Sequence, residues 1–222
     1  AYDRRWEGRI HWGALVTTSR NLALKVQVFS QAEEERKALA GEYIVLFPYA
    51  LRDHLREGIT DQTLARCPHP LPDGVTHVPA YIAGRLFQIV KGWRNNKELG
   101  KLDDHLIDQH ISALMDICGA CERIRNAPLP LAHRALIPQV LALYLILIPV
   151  SMEFNLANMV FTFVMSYFLI GLELVAEDIE EPFGTDDDDL PLDRLSETIE
   201  RSVRQIIPAL TRHPAKLDEA PI

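Results

Sequence analysis

The chain has 222 residues, with 23 Lys and Arg against 31 Asp and Glu, a net charge of -8 and 48% hydrophobic residues. That length supplies one domain or two small ones, and the composition excludes collagen-like, disulfide-dense and wholly disordered classes. The acidic balance argues against a nucleic-acid binder, which presents a basic face, and three cysteines cannot make a disulfide framework, so a reducing compartment is expected.

The first residues are charged and no apolar run comes after a basic start, so no signal peptide is expected. From Arg4 to about Phe29, apolar residues three and four apart (Leu15, Leu22, Val26, Phe29) predict a helix. The same spacing, through Leu39, Tyr43, Leu46, Phe47 and Leu51, predicts a second from Ala32 to about Arg56. Gly58 followed by Thr60 reads as a stop and a fresh N-cap. Four prolines beside Gly74 make Cys67–Pro79 a loop. Val78 to about Lys97 is an amphipathic helix closed by Gly100, and Asp103 or Asp104 is expected to cap the next, which runs to about Arg125. Asn126-Ala-Pro-Leu-Pro130 is a rigid extended entry to an apolar region. After a loop from Glu181 to Asp189, Asp193 is expected to cap a last helix reaching about Leu210, and the tail from His213 is expected to be disordered. No stretch alternates with period two and no repeat is evident, so the fold class is all-α.

A mean hydropathy of -0.02 conceals a lopsided distribution. Ala135–Met152 holds no charged residue, and after Glu153 neither does Phe154–Leu172. An 18-residue helix is about 27 Å long, close to the roughly 30 Å hydrocarbon core of a bilayer. The two stretches therefore read as a transmembrane hairpin. The alternative, a buried hairpin in a soluble protein, usually shows a polar stripe, and Tyr144–Pro149 and Met159–Ile170 show little of one. The short turn carries neither Lys nor Arg, which places it on the non-cytoplasmic side and both long flanks in the cytoplasm.

Most constellations favour a structural reading. Cys118-Gly-Ala-Cys121 lacks the second pair a zinc site needs and the βαβ context of a redox motif, so two packed core cysteines are expected. Asp104, His105, Asp108 and His110 resemble metal ligands, but the histidines do not share a face. An acidic first turn at a helix N-terminus explains them better. No nucleophile triad, HExxH or P-loop is present, and nothing supports an enzyme. Asp186-Asp-Asp-Asp189 is sharper. Adjacent carboxylates repel unless a cation offsets them, and calcium takes roughly six to eight such oxygens. A solvated acidic turn is the alternative. Pro182-Phe183-Gly184 just before the run suggests a shaped loop rather than a linker.

Three blocks resemble the bestrophin family, including its bacterial and fungal members. They are Ala1-Tyr-Asp-Arg-Arg-Trp-Glu-Gly-Arg-Ile-His-Trp-Gly13, Asn126-Ala-Pro-Leu-Pro-Leu-Ala132, and Glu173-Leu-Val-Ala-Glu-Asp-Ile-Glu-Glu-Pro-Phe-Gly-Thr-Asp-Asp-Asp-Asp-Leu-Pro-Leu-Asp193. The last is the most specific. The resemblance implies a homopentameric ion channel in a plasma or inner membrane, with a cytosolic helical vestibule. It implies one domain over residues 1–222: cytosolic helices over 1–130, the hairpin over 131–176, and the acidic loop, a cytosolic helix and the tail over 177–222.

The implied partners are further copies of the chain, the lipid bilayer and permeant ions, with no nucleic acid. Family members carry an additional membrane helix and a pore neck N-terminal to the segment matched by Ala1, and these 222 residues supply two of the four expected spans. By resemblance, Asp186 and Asp189 match the calcium-clasp carboxylates, Asp187 and Asp188 complete the run, and Asp178 stands where eukaryotic members place a glutamine. No other cofactor is implied. A cytosolic constriction is expected in or near Leu102–Leu106, lined by Leu102, His105 and Leu106. The leading reading is passive conduction of anions such as chloride through a shared axial pore. The alternatives are a cation-preferring channel, and a membrane-anchored scaffold that oligomerises without conducting.

Overall fold

The helices Tyr2–Phe29, Glu34–Leu55, Val78–Asn95, Lys101–Asn126 and Leu192–Ile206 arise from the spacing of apolar residues and bury those residues against one another. The computed structural model describes residues 2–56, 58–72, 74–126, 139–147, 155–178, 182–185 and 189–212. The proline-rich entry after Asn126, parts of both apolar stretches, Asp186–Asp188 and the tail from His213 lie outside the described residues. Helix α1 (Tyr2–Phe29) buries Trp12, Leu15, Ser19, Leu22 and Val26, a three-and-four spacing that makes one stripe. Helix α2 (Glu34–Leu55) is different: every residue from Tyr43 to Leu51 is buried. A helix that is apolar all round belongs inside. That enclosure lets α2 hold Pro48 in its interior, where the lost backbone bond costs about 3 kcal/mol.

Short α3 (Asp61–Leu64) is capped by the Thr60 side chain, which accepts from the Thr63 amide, and the chain reaches it through Gly58 at φ +115°. Both features match the sequence reading. Helix α4 (Val78–Asn95) buries Ile82, Leu86, Val90 and Trp93, and α5 (Lys101–Asn126) buries Ile107, Ile111, Leu114, Cys118, Cys121 and Ile124. The two cysteines are core residues, as expected. Burial pushes both thiols up to about 12, so neither is a thiolate at neutral pH. Helix α6 covers 139–147, α7 is Leu156–Asp178, α8 is Leu192–Ile206 and α9 is Ala209–Arg212.

Helices α1, α5, α4, α2 and α8 pack in that order as a closed ring, with α8 returning to α1 and α2 also touching α1 and α5. Arg4 at the start of α1 donates to the carbonyl of Ile124 at the end of α5, which fixes their antiparallel register. No strand occurs among the described residues, so the all-α expectation holds.

Two caps differ from expectation. Asp193 does not cap α8. The helix starts at Leu192, two residues earlier than a cap at Asp193 would start it; Pro191 stands at the N-cap position without a side-chain bond, and the Asp193 carboxylate is drawn to Arg52 and Arg56 at the end of α2. Similarly, α5 begins at Lys101, before Asp103 and Asp104. Both lie in its first turn, and Asp104 pairs with Arg94 at 3.0 Å. The last helix also stops early, at Ile206, because Pro208 has no N–H to continue the ladder; α9 comes separately.

The apolar hairpin segments behave unlike the ring. Val140, Leu143, Ile146 and Leu147 on α6 are exposed, and so are Leu156, Phe163, Tyr167 and Phe168 on α7. Among the described residues α7 packs on none of the ring helices. Among those residues, too, no helix is long and apolar enough to cross a membrane; the stretches Ala135–Met152 and Phe154–Leu172 extend partly beyond them.

Ile199 is fully buried where α8 meets α1 and α2. Ile199→Ala is expected to lower stability by about 2–4 kcal/mol in denaturant unfolding of the chain in detergent. Glu197→Ala, on the exposed face, should stay within about 0.5 kcal/mol.

Candidate functional site: an anchored acidic loop

The C-terminal end of α2 is where charge returns after the wholly buried run from Tyr43 to Leu51. Its last carbonyls have no partner within the helix, and Arg125 of α5 supplies one: Nη1 donates to the His54 carbonyl at 2.8 Å and Nη2 to the Arg56 carbonyl at 2.7 Å. Asp53, only 2% exposed, would be costly if left unpaired. Its Oδ2 accepts from the Thr60 amide at 2.9 Å and hydroxyl at 2.7 Å, and its Oδ1 accepts from Arg52 Nε at 2.7 Å. Burial alone would raise the Asp53 pKa, but the bonds from Thr60, Thr63 and Arg52 hold it below the usual carboxylate range.

Arg52 and Arg56 then reach the acidic segment. Arg52 Nη1 and Arg56 Nη1 take one oxygen each of Asp193, and Arg56 Nε donates to the Phe183 carbonyl at 3.2 Å. Burial pushes the Asp193 pKa up, while Arg56 and Arg52 pull it further down, so it too lies below its ordinary value. Between these anchors the segment closes on itself, the Leu190 amide donating to the Pro182 carbonyl at 3.1 Å. Phe183 and Leu190 are both buried against Gly8 of α1, where an added Cβ would come within 3.0 Å of Leu190 Cδ1. The shaped loop read from Pro182-Phe183-Gly184 is therefore present, with Phe183 as its plug. Gly184 lies directly under Asp189: a Cβ there would push the Asp189 carboxylate aside.

The sequence-predicted residues fall in two places. Asp189 is on the anchored loop, Asp186, Asp187 and Asp188 lie outside the described residues, and Asp178 is the last residue of α7, its side chain likewise outside them. Leu102, His105 and Leu106 sit together on the first two turns of α5. Leu102 is 73% exposed, His105 is exposed, and Leu106 is half-buried, its carbonyl accepting from Lys25 Nζ at 3.1 Å.

A third constellation has no sequence signature. His54 at the end of α2, His77 at the start of α4 and Glu122 on α5 bring one nitrogen or oxygen each to within 4.8 Å of one another. Both histidine Nε2 atoms approach the same carboxylate oxygen, at 2.7 and 2.9 Å. The partners stand 68 and 45 positions from Glu122, so no motif spacing could reveal them. Glu122 is shifted below its ordinary pKa, because the two histidines outweigh the opposing effect of burial.

The profile of the Bacterial/Fungal Bestrophin protein family matches residues 1–205, nearly the whole chain. The chain belongs to the bestrophin family. A protein of Nostoc sp. named as a voltage-dependent anion channel-forming protein is 32% identical over 213 residues, spanning 91% of this chain and 69% of that protein. A Mesorhizobium japonicum protein of the same name is 30% identical and covers 98% of this chain and 71% of its own length. Among solved structures, a mutant of the bestrophin homolog from Klebsiella pneumoniae is similar at a TM-score of 0.80 and 25% identity, over 93% of this chain and 79% of that one. The bestrophin fold thus extends across the helical ring.

Asp53 and Asp193 have folded pKa values below their unfolded ones. Each therefore contributes stability above the ordinary carboxylate pKa of about 4, and that stability is lost as pH falls through the lowered folded value. Asp53→Asn is expected to cost about 3 kcal/mol at pH 7, because it leaves Arg52 and the Thr60 donors without their charged partner. The gap to the native chain should narrow below about pH 4. Urea midpoints at pH 7 and pH 3 measure this, and an equal gap at both would contradict it.

Proposed function

We propose that the chain is a subunit of an oligomeric anion channel that passes ions such as chloride passively through an axial pore. The observation that carries this reading is the likeness, across most of both chains, to relatives named as anion channel-forming proteins. The exposed faces support it. The outward side chains of α6 and α7 are those a bilayer would solvate, and α1 turns Trp6, Ile10, Leu24 and Val28 outward, where a neighbouring copy would bury them. The number of copies, five, rests on the resemblance alone. Residues 135–172 would form the hairpin, with both flanks in the cytoplasm and the chain in a plasma or inner membrane.

Permeation needs no bond-making group, so no catalytic residue is assigned. Leu102, His105 and Leu106 on the exposed side of α5 would line a cytosolic constriction. Asp186, Asp187, Asp188 and Asp189, with Asp178, would hold calcium. Their hard carboxylate oxygens suit that ion, and magnesium's tighter octahedral demand suits a flexible loop less well. Bound calcium would supply the counter-charge that lets the acidic run lie beside the end of α7. The Asp53 and Asp193 anchors would keep the loop in place whether or not the ion is bound.

The test is chloride efflux from vesicles reconstituted with the purified chain, with and without calcium. Efflux well above that of empty vesicles is expected, with a bilayer reversal potential of the sign set by the anion gradient. Asp186→Asn combined with Asp189→Asn should remove any calcium dependence. A chain that assembles in lipid and passes no chloride would overturn the channel reading.

A further inference from the structure

We propose that His54, His77 and Glu122 form a binding site for a single divalent transition-metal ion, zinc by its ligand chemistry, which clamps the end of α2 and the start of α4 onto α5. The site is separate from the acidic loop and independent of the channel reading. Two imidazoles and one carboxylate are a recurrent zinc donor set, and they leave a fourth position for water. Calcium and magnesium prefer all-oxygen sites, so this cluster selects a different ion from the aspartate run.

The geometry is close to what an ion needs. Ligand atoms about 2.0–2.1 Å from zinc in a tetrahedron stand roughly 3.3 Å from one another. The two Nε2-to-Oε1 separations here are 2.7 and 2.9 Å, so each must open by about half an ångström, within the reach of a rotamer adjustment. The His54 and His77 rings lie 4.5 Å apart between centroids, so their nitrogens converge on the carboxylate. The side chains are 25%, 37% and 29% exposed, which leaves an entry path and room for the fourth, water ligand. Behind the carboxylate, the buried Cys118 thiol lies 3.7 Å from the same oxygen and donates to it, orienting Glu122 from the core side.

One feature opposes the ion. His77 also caps α4, its Nδ1 accepting from the Ala80 amide at 3.1 Å, which places the ring proton on Nε2. Metal on Nε2 takes that nitrogen's lone pair, so the ring's single proton shifts to Nδ1, which can then no longer accept, and the cap is lost. The Ala80 bond is exposed, so water replaces it, and losing such a cap costs about fivefold in an equilibrium constant. Three ligands held by three separate helices outweigh a penalty of that size.

This capping role also supplies a clean test. His77→Asn removes the ligand but keeps a strong N-cap residue, so α4 starts as before. The full chain in detergent, stripped with chelator, is titrated with zinc chloride. Bound zinc is counted by equilibrium dialysis, and melting is followed in parallel. The native chain should bind one tight equivalent more than His77→Asn and melt at a higher temperature with zinc. In Glu122→Gln the affinity of that equivalent should fall about 100-fold. Asp186→Asn with Asp189→Asn should leave it unchanged. Equal zinc counts for the native chain and His77→Asn, or a zinc-induced melting shift that survives in both ligand variants, would overturn the proposal and leave the cluster as a hydrogen-bonded tie between helices.

Discussion

The enclosure of α2 is the constraint on which the structure depends. Its residues from Tyr43 to Leu51 have no face that tolerates water, so α1, α4, α5 and α8 must all pack on it. Each fully buried large side chain there contributes about 1.5–3 kcal/mol, and no one neighbour could cover Tyr43, Ile44, Val45 and Leu46 together, because successive residues point to different sides of the helix. Enclosure also sets where polarity can enter. Charge returns at the C-terminal end of α2, and within five residues Arg52 and Arg56 reach Asp193 on α8, Asp53 accepts from Thr60 ahead of α3, and His54 reaches Glu122 on α5.

That concentration explains why one end of one helix serves two sites. Arg52 and Arg56 reach forward to Asp193 and the Phe183 carbonyl, which anchors the acidic loop. His54, between them, reaches the other way to Glu122. Arg125 holds the last turn's carbonyls, so the helix end cannot fray without disturbing both. A second polar tie joins α2 to α8 further along: Tyr49 donates to Glu200 at 2.7 Å, and Arg66 and Arg204 share the same carboxylate at 2.9 Å each. Burial and that carboxylate push the Tyr49 pKa up, so the phenol remains a donor at any physiological pH.

Periodicity made much of the fold readable. The stripe of Leu15, Leu22 and Val26 predicts α1, and Gly58 with Thr60 predicts the break before α3, because both signals are local. Asp193 misled for the same reason. An aspartate at a helix start is locally a cap, and nothing nearby in sequence shows that Arg52 and Arg56 compete for it from 141 and 137 positions away. Pro208 did carry a readable signal, a proline that ends a helix, and the apolar run through Ile206, Ile207 and Leu210 obscured it. The acidic loop was legible as composition and as family likeness, and Phe183 hinted at its shape. Its anchoring by α2 was not legible, since it rests on pairings between distant segments. The His54, His77 and Glu122 cluster was invisible for that reason alone: each residue is ordinary in its own helix.

The exposed segments α6 and α7 complete the contrast. The ring has a shared apolar core, whereas α7 packs on none of the ring helices and exposes Phe163, Tyr167 and Phe168. One part of the chain is stable through its own core, and the other requires a different surrounding. Hydrogen exchange of the whole chain in lipid nanodiscs tests this most directly. Enclosure predicts that Tyr43–Leu51 amides exchange slowest of the helical ring, opening only when α1, α5 and α8 open with them. Exchange of α2 faster than that of α1 or α8, or independent of them, would contradict it.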